Sequence, residues 1–169
     1  SYASFNAALR DANTIMAAGP TSIETIDSRV LNLAKDDIIW ESIAEFFPED
    51  STDANTSEAA HKISVEGINL IEFSADSDEA LKAAMQPLLE ILNSDTSVSH
   101  AYTIAWGDDV KKIWGMRKKA VGLLGNTQGE ARPMAFVEDT AVPPEHLADF
   151  IVEFRALLDS HNLQYGMFG

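Results

Sequence analysis

Ile68-Asn69-Leu70-Ile71-Glu72-Phe73-Ser74-Ala75, running into Asp76-Ser77-Asp78-Glu79, is the stretch whose reading decides the fold. An apolar run of strand length gives way to an acidic helix start. A helical face of Leu81, Ala84, Met85, Leu88, Leu89 and Leu92 follows. Pro87 inside that face predicts a kink or an early break. Past the turn Asn93-Ser94-Asp95, Val98 to Trp106 alternates like a strand. The same order recurs downstream. Pro133 to Ala141 reads as a strand, and Pro143-Pro144-Glu145 opens a helix carrying Leu147, Phe150, Ile151, Phe154, Leu157 and Leu158. Ser160-His161-Asn162 turns the chain into a last strand, Leu163 to Phe168. Residues 68–105 and 133–168 therefore form a weak internal repeat.

Between the two copies, Gly107-Asp108-Asp109 opens a helix through Val110, Ile113, Trp114, Arg117, Val121 and Leu124, and Gly125 is its expected stop. Upstream, Phe5, Leu9, Ala12, Ile15 and Met16 keep helical spacing up to Gly19-Pro20. Ser22 to Ile26 suits a short strand. Asp27-Ser28 caps a helical stretch through Val30, Leu31 and Leu33. Asp36-Asp37 starts another, using Ile39, Ile43, Phe46 and Phe47 and stopping at Pro48. From Glu49 to Ala60 the chain is Ser-, Thr-, Asp- and Asn-rich with no apolar period, which predicts a surface loop.

Repeated split β-α-β units of this kind build ferredoxin-like sandwiches. The expected fold is α+β: an antiparallel sheet with helices packed on one face, here as a fragment of a duplicated arrangement. A parallel sheet built from crossovers is the alternative, but these strands carry more polar alternation than buried parallel strands do. The whole chain, 1–169, is read as one domain with a helical insertion and loop at about 27–62. The opening Ser1-Tyr2-Ala3-Ser4 and the apolar ending at Gly169 suggest a piece of something longer.

Composition narrows the function classes. There are 27 acidic against 12 basic side chains, a formal net charge of -15, which repels phosphate backbones and argues against nucleic-acid binding. There is no cysteine, so a disulfide framework, a thiolate metal site and a cysteine nucleophile are all excluded within this chain. That composition fits a cytoplasmic location, with peripheral membrane association left open for a longer protein. No apolar run approaches the roughly 20 residues that span a bilayer. The four histidines are scattered. His146 and Asp149 share a helix face but make a poor metal signal, so neither a catalytic nor a metal residue is assigned. No phosphate loop, nucleophile elbow or dinucleotide fingerprint is present.

Two segments can carry chemistry. Lys111-Lys112-Ile113-Trp114-Gly115-Met116-Arg117-Lys118-Lys119 holds five of the twelve basic residues. In so acidic a chain it is a candidate anion site. Trp114 and Arg117 share a helical face, and an arginine can grip a carboxylate with two nitrogens. A solvated basic face balanced by nearby acids is the plainer reading. The second segment is Phe136-Val137-Glu138-Asp139-Thr140-Ala141-Val142-Pro143, where two adjacent acids end an apolar strand and point to opposite sides. Asp139 has a plainer role open to it, shaping the turn into the helix at Pro143.

At these two segments the chain resembles the C-terminal domain of FAD-linked oxidases of the vanillyl-alcohol-oxidase type. Ile113-Trp114-Gly115-Met116-Arg117-Lys118 matches the family's Trp-x-x-Arg element. Glu138-Asp139-Thr140-Ala141-Val142-Pro143 matches its Glu-Asp-x-x-Val-Pro element, and Ile23-Glu24-Thr25-Ile26-Asp27 is similar to its strand ending in Asp. The nearest subgroup is the large bacterial fused proteins that carry an FAD half, this cap and an iron–sulfur region, similar to D-lactate, glycolate and D-2-hydroxyglutarate dehydrogenases. The resemblance implies a cap domain over the flavin ring. Arg117, with Lys118 and Glu138, would meet a small 2-hydroxy carboxylate, and Trp114 would meet the cofactor. Hydride would pass from the substrate's C2 to the flavin. FAD would be bound mainly by an FAD-binding domain of the same polypeptide, an iron–sulfur cluster is a further cofactor of the longer protein, and the family's Gly-His-x-Gly-x-Gly element would follow Gly169. This chain alone would be inactive. An apolar patch around Trp114 and the last strand would be left exposed and could pair two copies as a homodimer. The competing reading is an autonomous ferredoxin-like module that binds a small anion and regulates a partner.

Overall fold

Ser4 starts the first helix because its hydroxyl accepts the Ala7 N–H at 3.0 Å, filling one of the donors a helix start leaves open. The computed structural model describes residues 1–47, 65–94, 101–125, 137 and 139–169. Helix α1 (Phe5–Ile15) buries Phe5, Ala8, Leu9 and Ile15. A 3₁₀ turn, Met16–Ala18, follows and ends on Gly19, whose φ of 69° lies in the left-handed region. Strand β1 (Ser22–Asp27) comes next, and its last residue is also the N-cap of α2 (Ser28–Lys35). Asp27 Oδ1 accepts the Val30 N–H at 2.9 Å.

β1 pairs antiparallel with β2 (Gly67–Glu72), in register from Ser22 opposite Glu72 to Asp27 opposite Gly67. Tyr2 bridges Gly67 on the far edge of β2, and Phe168 bridges Ile26 on the far edge of β1. Thr25 and Gly169 exchange two backbone hydrogen bonds, of 2.7 and 3.0 Å, beside that second bridge. The chain's end thus extends the antiparallel sheet by one short row. Gly67 is glycine for want of room: a Cβ there would stand 3.1 Å from the Phe5 Cα.

Side chains alternate across the sheet. Thr25, Asp27 and Asn69 turn toward α1 and α5 (Pro144–Ser160), where Phe5, Leu9 and Ala148 form a small core. Asn69 Nδ2 donates to the Ala8 carbonyl at 3.0 Å and so joins α1 to the sheet. This is the helix layer expected on one face. The opposite face is covered as well. Ile26 and Ile68 pack with Val30, Leu31, Ala34, Ile43 and Met116, which brings α2 and α4 (Asp108–Gly125) onto it. The molecule is α+β with an antiparallel sheet, as expected, but the sheet pairs β2 with β1, which lies outside the repeat, and helices cover both faces where one was expected.

Four expectations changed. Of the strand expected over 163–168, only Phe168 makes a β-bridge, to Ile26. The helix anticipated from Asp37 is a pair of 3₁₀ turns, Ile38–Ser42 and Ala44–Phe46. Asp37 accepts the N–H of Ile39, only two residues on, and that tight local bond competes with α-helical geometry. The strand expected over 98–106 is not seen in its described part, 101–106. Thr103 Oγ1 donates to the Phe46 carbonyl there, and no ladder partner stands beside it among the described residues. Pro87 does not break α3 (Asp78–Ser94). It lies exposed, as does Ala83 one turn before it, so water can take the carbonyl that proline leaves unpaired. The expected strand 133–141 falls largely outside the described residues, as does the loop from Glu49.

Candidate functional site

The site is set by how α4 lands on the sheet. Met116 is fully buried against Ile26 and Ile68, which fixes the rotation of the helix. Arg117, the next residue, then reaches the edge of the same sheet face. Its Nε donates to Glu24 Oε2 at 2.5 Å, and its guanidinium carbon stands 5.6 Å from the centre of the Phe168 ring. Glu24 is on β1, two residues before Ile26, so both point to the α4 side. The Arg117 side chain is 32% exposed and that of Glu24 only 16%. Both terminal nitrogens of Arg117 are without an acceptor among the described residues.

The other described arginines differ. Arg10 places a terminal nitrogen on Asp149 at 2.6 Å, and Arg29 places one on the Tyr165 carbonyl at 2.9 Å. Arg155 is used on every side: Nη2 donates to Asp27 at 3.0 Å, and the guanidinium lies 4.5 Å from the centre of the Phe5 ring. Arg155 holds the fold together, whereas Arg117 has its bonding fork to spare among the described residues.

The basic cluster around Arg117 is largely neutralised. Lys111 pairs with Asp108 at 2.7 Å, Lys112 with Asp109 at 2.6 Å, and Lys119 with Asp37 at 2.7 Å. The Asp109 carboxylate holds the Lys112 ammonium above its ordinary range, and the Lys119 ammonium holds the Asp37 carboxyl below its own. These are exposed pairs that contribute little to stability. Their effect is to cancel the local field that the sequence alone suggests. Lys118 is exposed and has no acceptor among the described residues, but it lies about 100° around the helix from Arg117. Glu138 lies outside the described residues. Its neighbour Asp139 is described, with a φ of 53°, the left-handed conformation of a turn residue.

Trp114, one turn before Arg117, is half-buried and lines a cavity of about 270 Å³ between β2, α3, residues 101–107 and α4. Ile71, Phe73, Met85, Leu89 and Trp106 line it too. No Lys, Arg or His side chain does so among the described residues. Tyr102, Ile104 and Trp106 are 46%, 41% and 45% exposed beside it, so an apolar surface does lie near Trp114. At the end of the chain Met167 and Phe168 are packed instead, one into each core cluster.

Sequence reasoning passed over two of these groups. Glu24 could have been found as an acid on the same strand face as Ile26. Asp27 was read as a helix cap, and it does more. It is 1% exposed, and its Oδ2 also accepts Arg155 and the Met167 N–H, each at 3.0 Å. Burial pushes its carboxyl above the ordinary aspartate value, against the opposing pull of those donors.

Comparison with known proteins identifies the framework. The family model for FAD linked oxidases, C-terminal domain, matches residues 1–169. The chain belongs to that family. D-2-hydroxyglutarate dehydrogenase of Pseudomonas putida is 52% identical over 170 residues, and the proteins of the same name from Haemophilus influenzae and Escherichia coli are 47% and 46% identical over 173 residues. Each alignment takes in 99% of this chain and 16% of the relative, so the chain spans about a sixth of their length. No helix among the described residues is long and apolar enough to cross a membrane.

The family's name implies FAD, and the described residues fit only part of it. The apolar surface at Trp114 suits the edge of a flat ring. A pyrophosphate needs cations or an open helix N-terminus. α3, α4 and α5 all carry acids in their first turns, and the cavity lining offers no cationic side chain. The starts of α3, α4 and α5 and the cavity lining are therefore poor places for a pyrophosphate. Having no cysteine, this FAD-linked oxidase domain also supplies no thiolate for an iron–sulfur cluster.

Proposed function

We propose that this chain is the substrate-side cap of a longer flavin-dependent D-2-hydroxy-acid dehydrogenase, in which Arg117 grips the substrate carboxylate. One observation carries the reading: the Arg117 guanidinium is tethered at Nε by Glu24 and flanked by Phe168, while both terminal nitrogens have no acceptor among the described residues. That is the arrangement a two-point grip on a carboxylate needs. The activity named for relatives up to 52% identical supports a 2-hydroxy acid as the ligand, with D-2-hydroxyglutarate the first candidate.

The chain's own share of the reaction is binding and orientation. Trp114 and its apolar surroundings would border the flavin and keep water from it, Arg117 would fix the carboxylate end, and Lys118 and Glu138 complete the proposed substrate contacts. Hydride from the substrate's C2 would pass to a flavin bound mainly by the remainder of the polypeptide, which is the chemistry the cofactor supplies.

The test is Arg117→Lys in the full-length polypeptide, assayed with D-2-hydroxyglutarate and a dye acceptor. Lysine keeps the charge and loses the planar fork. A fall in kcat/KM of about 10²-fold or more is expected, from an enzyme that still retains its flavin. Unchanged kinetics would remove Arg117 from the site.

A further inference from the structure

We infer that Glu24 is a positioning residue: by holding Nε of Arg117 it aims the two terminal nitrogens of the guanidinium at the substrate carboxylate. The inference rests on the reading that Arg117 is the carboxylate grip, and it adds a second residue, on a different element, to that function.

Glu24 stands in poor surroundings for a charge. Its own strand places Ile26 beside it on the same face, its partner across the ladder is Leu70, and Phe168 lies across the neighbouring row. A carboxylate on such a face is costly unless paired. Arg117 is its ion-pair partner among the described residues. Pairing alone does not explain the geometry, because a buried pair is weak grounds for stability and apolar residues often do as well. What the geometry does achieve is directional. A guanidinium has two edges that can take a carboxylate at two points, one formed by Nε with a terminal nitrogen and one formed by the two terminal nitrogens. Glu24 makes a one-point contact at Nε. The far edge, between the two terminal nitrogens, meets no acceptor among the described residues.

Two contacts then fix the group. Glu24 holds Nε and the Phe168 ring lies alongside. A long side chain that swings freely spends most of its time misaligned, and misplacement of about 1 Å can cost on the order of 10²-fold in rate. Glu24 also carries a cost, since its negative charge repels a second carboxylate. If orientation outweighs repulsion, removing Glu24 harms the enzyme. If repulsion outweighs orientation, removing it tightens binding.

The full-length polypeptide decides between these with D-2-hydroxyglutarate as the probe, each variant being checked for thermal unfolding and flavin content. Glu24→Gln keeps an oxygen that accepts from Nε. It is expected to stay within about threefold of wild-type kcat/KM. Glu24→Leu keeps the apolar packing and loses the tether. Its kcat/KM should fall by about tenfold or more, mainly through KM. Glu24→Asp retains the charge on a shorter stem, and should also raise KM as the guanidinium is drawn back toward the sheet. That variant decides the matter if the leucine protein does not fold. In the Arg117→Lys background the Glu24→Leu loss should largely vanish, because a residue that acts only through its partner has nothing left to position. A merely structural role would instead give additive losses and matched drops in thermal stability, which would overturn the inference. So would wild-type or lower KM in both the leucine and the aspartate proteins while Arg117→Lys is impaired. Normal kinetics in Arg117→Lys itself would bring down the underlying reading, and with it this one.

Discussion

At the scale of single residues the most demanding group is Asp27. Its two oxygens serve the start of α2, the backbone of Met167 and the guanidinium of Arg155, so one carboxyl joins three separate segments. Removing it with Asp27→Ala strands a part-buried arginine and two backbone donors. The expected loss is about 3–5 kcal/mol, readable by chemical denaturation of this chain. Its ionisation has a sign that can be measured. The folded carboxyl titrates above the ordinary value of 3.8, chiefly because it is desolvated. Between those two pKa values the unfolded chain has released its proton while the folded chain keeps it. The folded state binds more protons there, so the Asp27 contribution favours folding below pH 3.8 and is lost as pH rises through the folded value. Asp27→Asn cannot titrate. Its stability relative to wild type should therefore improve as pH rises through this window. A relative stability that worsens instead would mean that Arg155 outweighs burial.

At the scale of elements, α4 links the packing to the proposed chemistry. Its apolar contact is narrow: Met116 is its fully buried side chain among those described, set against Ile26 and Ile68. Met116→Ala should cost about 2–5 kcal/mol in unfolding free energy, and in the full-length enzyme it should raise KM by loosening the neighbouring Arg117. Normal KM with reduced stability would show that α4 is held in register by other contacts. Most of the elements could be read from the sequence, because each depends on local signals: Asp27 as a cap, Gly19 as a stop, and the apolar faces of α1, α3 and α5. The misreadings came where a local pattern depends on partners it cannot name. Val98–Trp106 alternates, yet a strand exists only beside another strand. Asp37 does start a turn, but its bond to Ile39 makes the turn 3₁₀. The site shows the same division. Arg117 and Trp114 stand out by spacing and by resemblance. Glu24 meets Arg117 from 93 positions away, and no window along the chain brings those two together.

At the scale of the whole molecule the question is how much a cap can do unaided. To the proposed substrate the chain would offer one tethered, part-exposed arginine, beside a cavity whose described lining has no cationic side chain. An ion pair open to water contributes about 0–1 kcal/mol, whereas even a 1 mM dissociation constant needs about 4.1 kcal/mol. The remaining contacts must come from surfaces beyond this chain. For a dissociation constant of 10 mM or weaker, adding 10 mM ligand stabilises the folded state by at most about 0.4 kcal/mol. In a domain of this size that shifts the melting temperature by no more than about 1–2 °C. The 169-residue chain, warmed with 10 mM D-2-hydroxyglutarate, should melt within that margin of the ligand-free sample and should carry no flavin absorbance. The full-length polypeptide under the same conditions should be yellow and measurably stabilised. A rise of five degrees or more in the isolated chain would mean that it encloses a complete anion site of its own. It would then be an independent binding module, with no need of a flavin to complete its pocket.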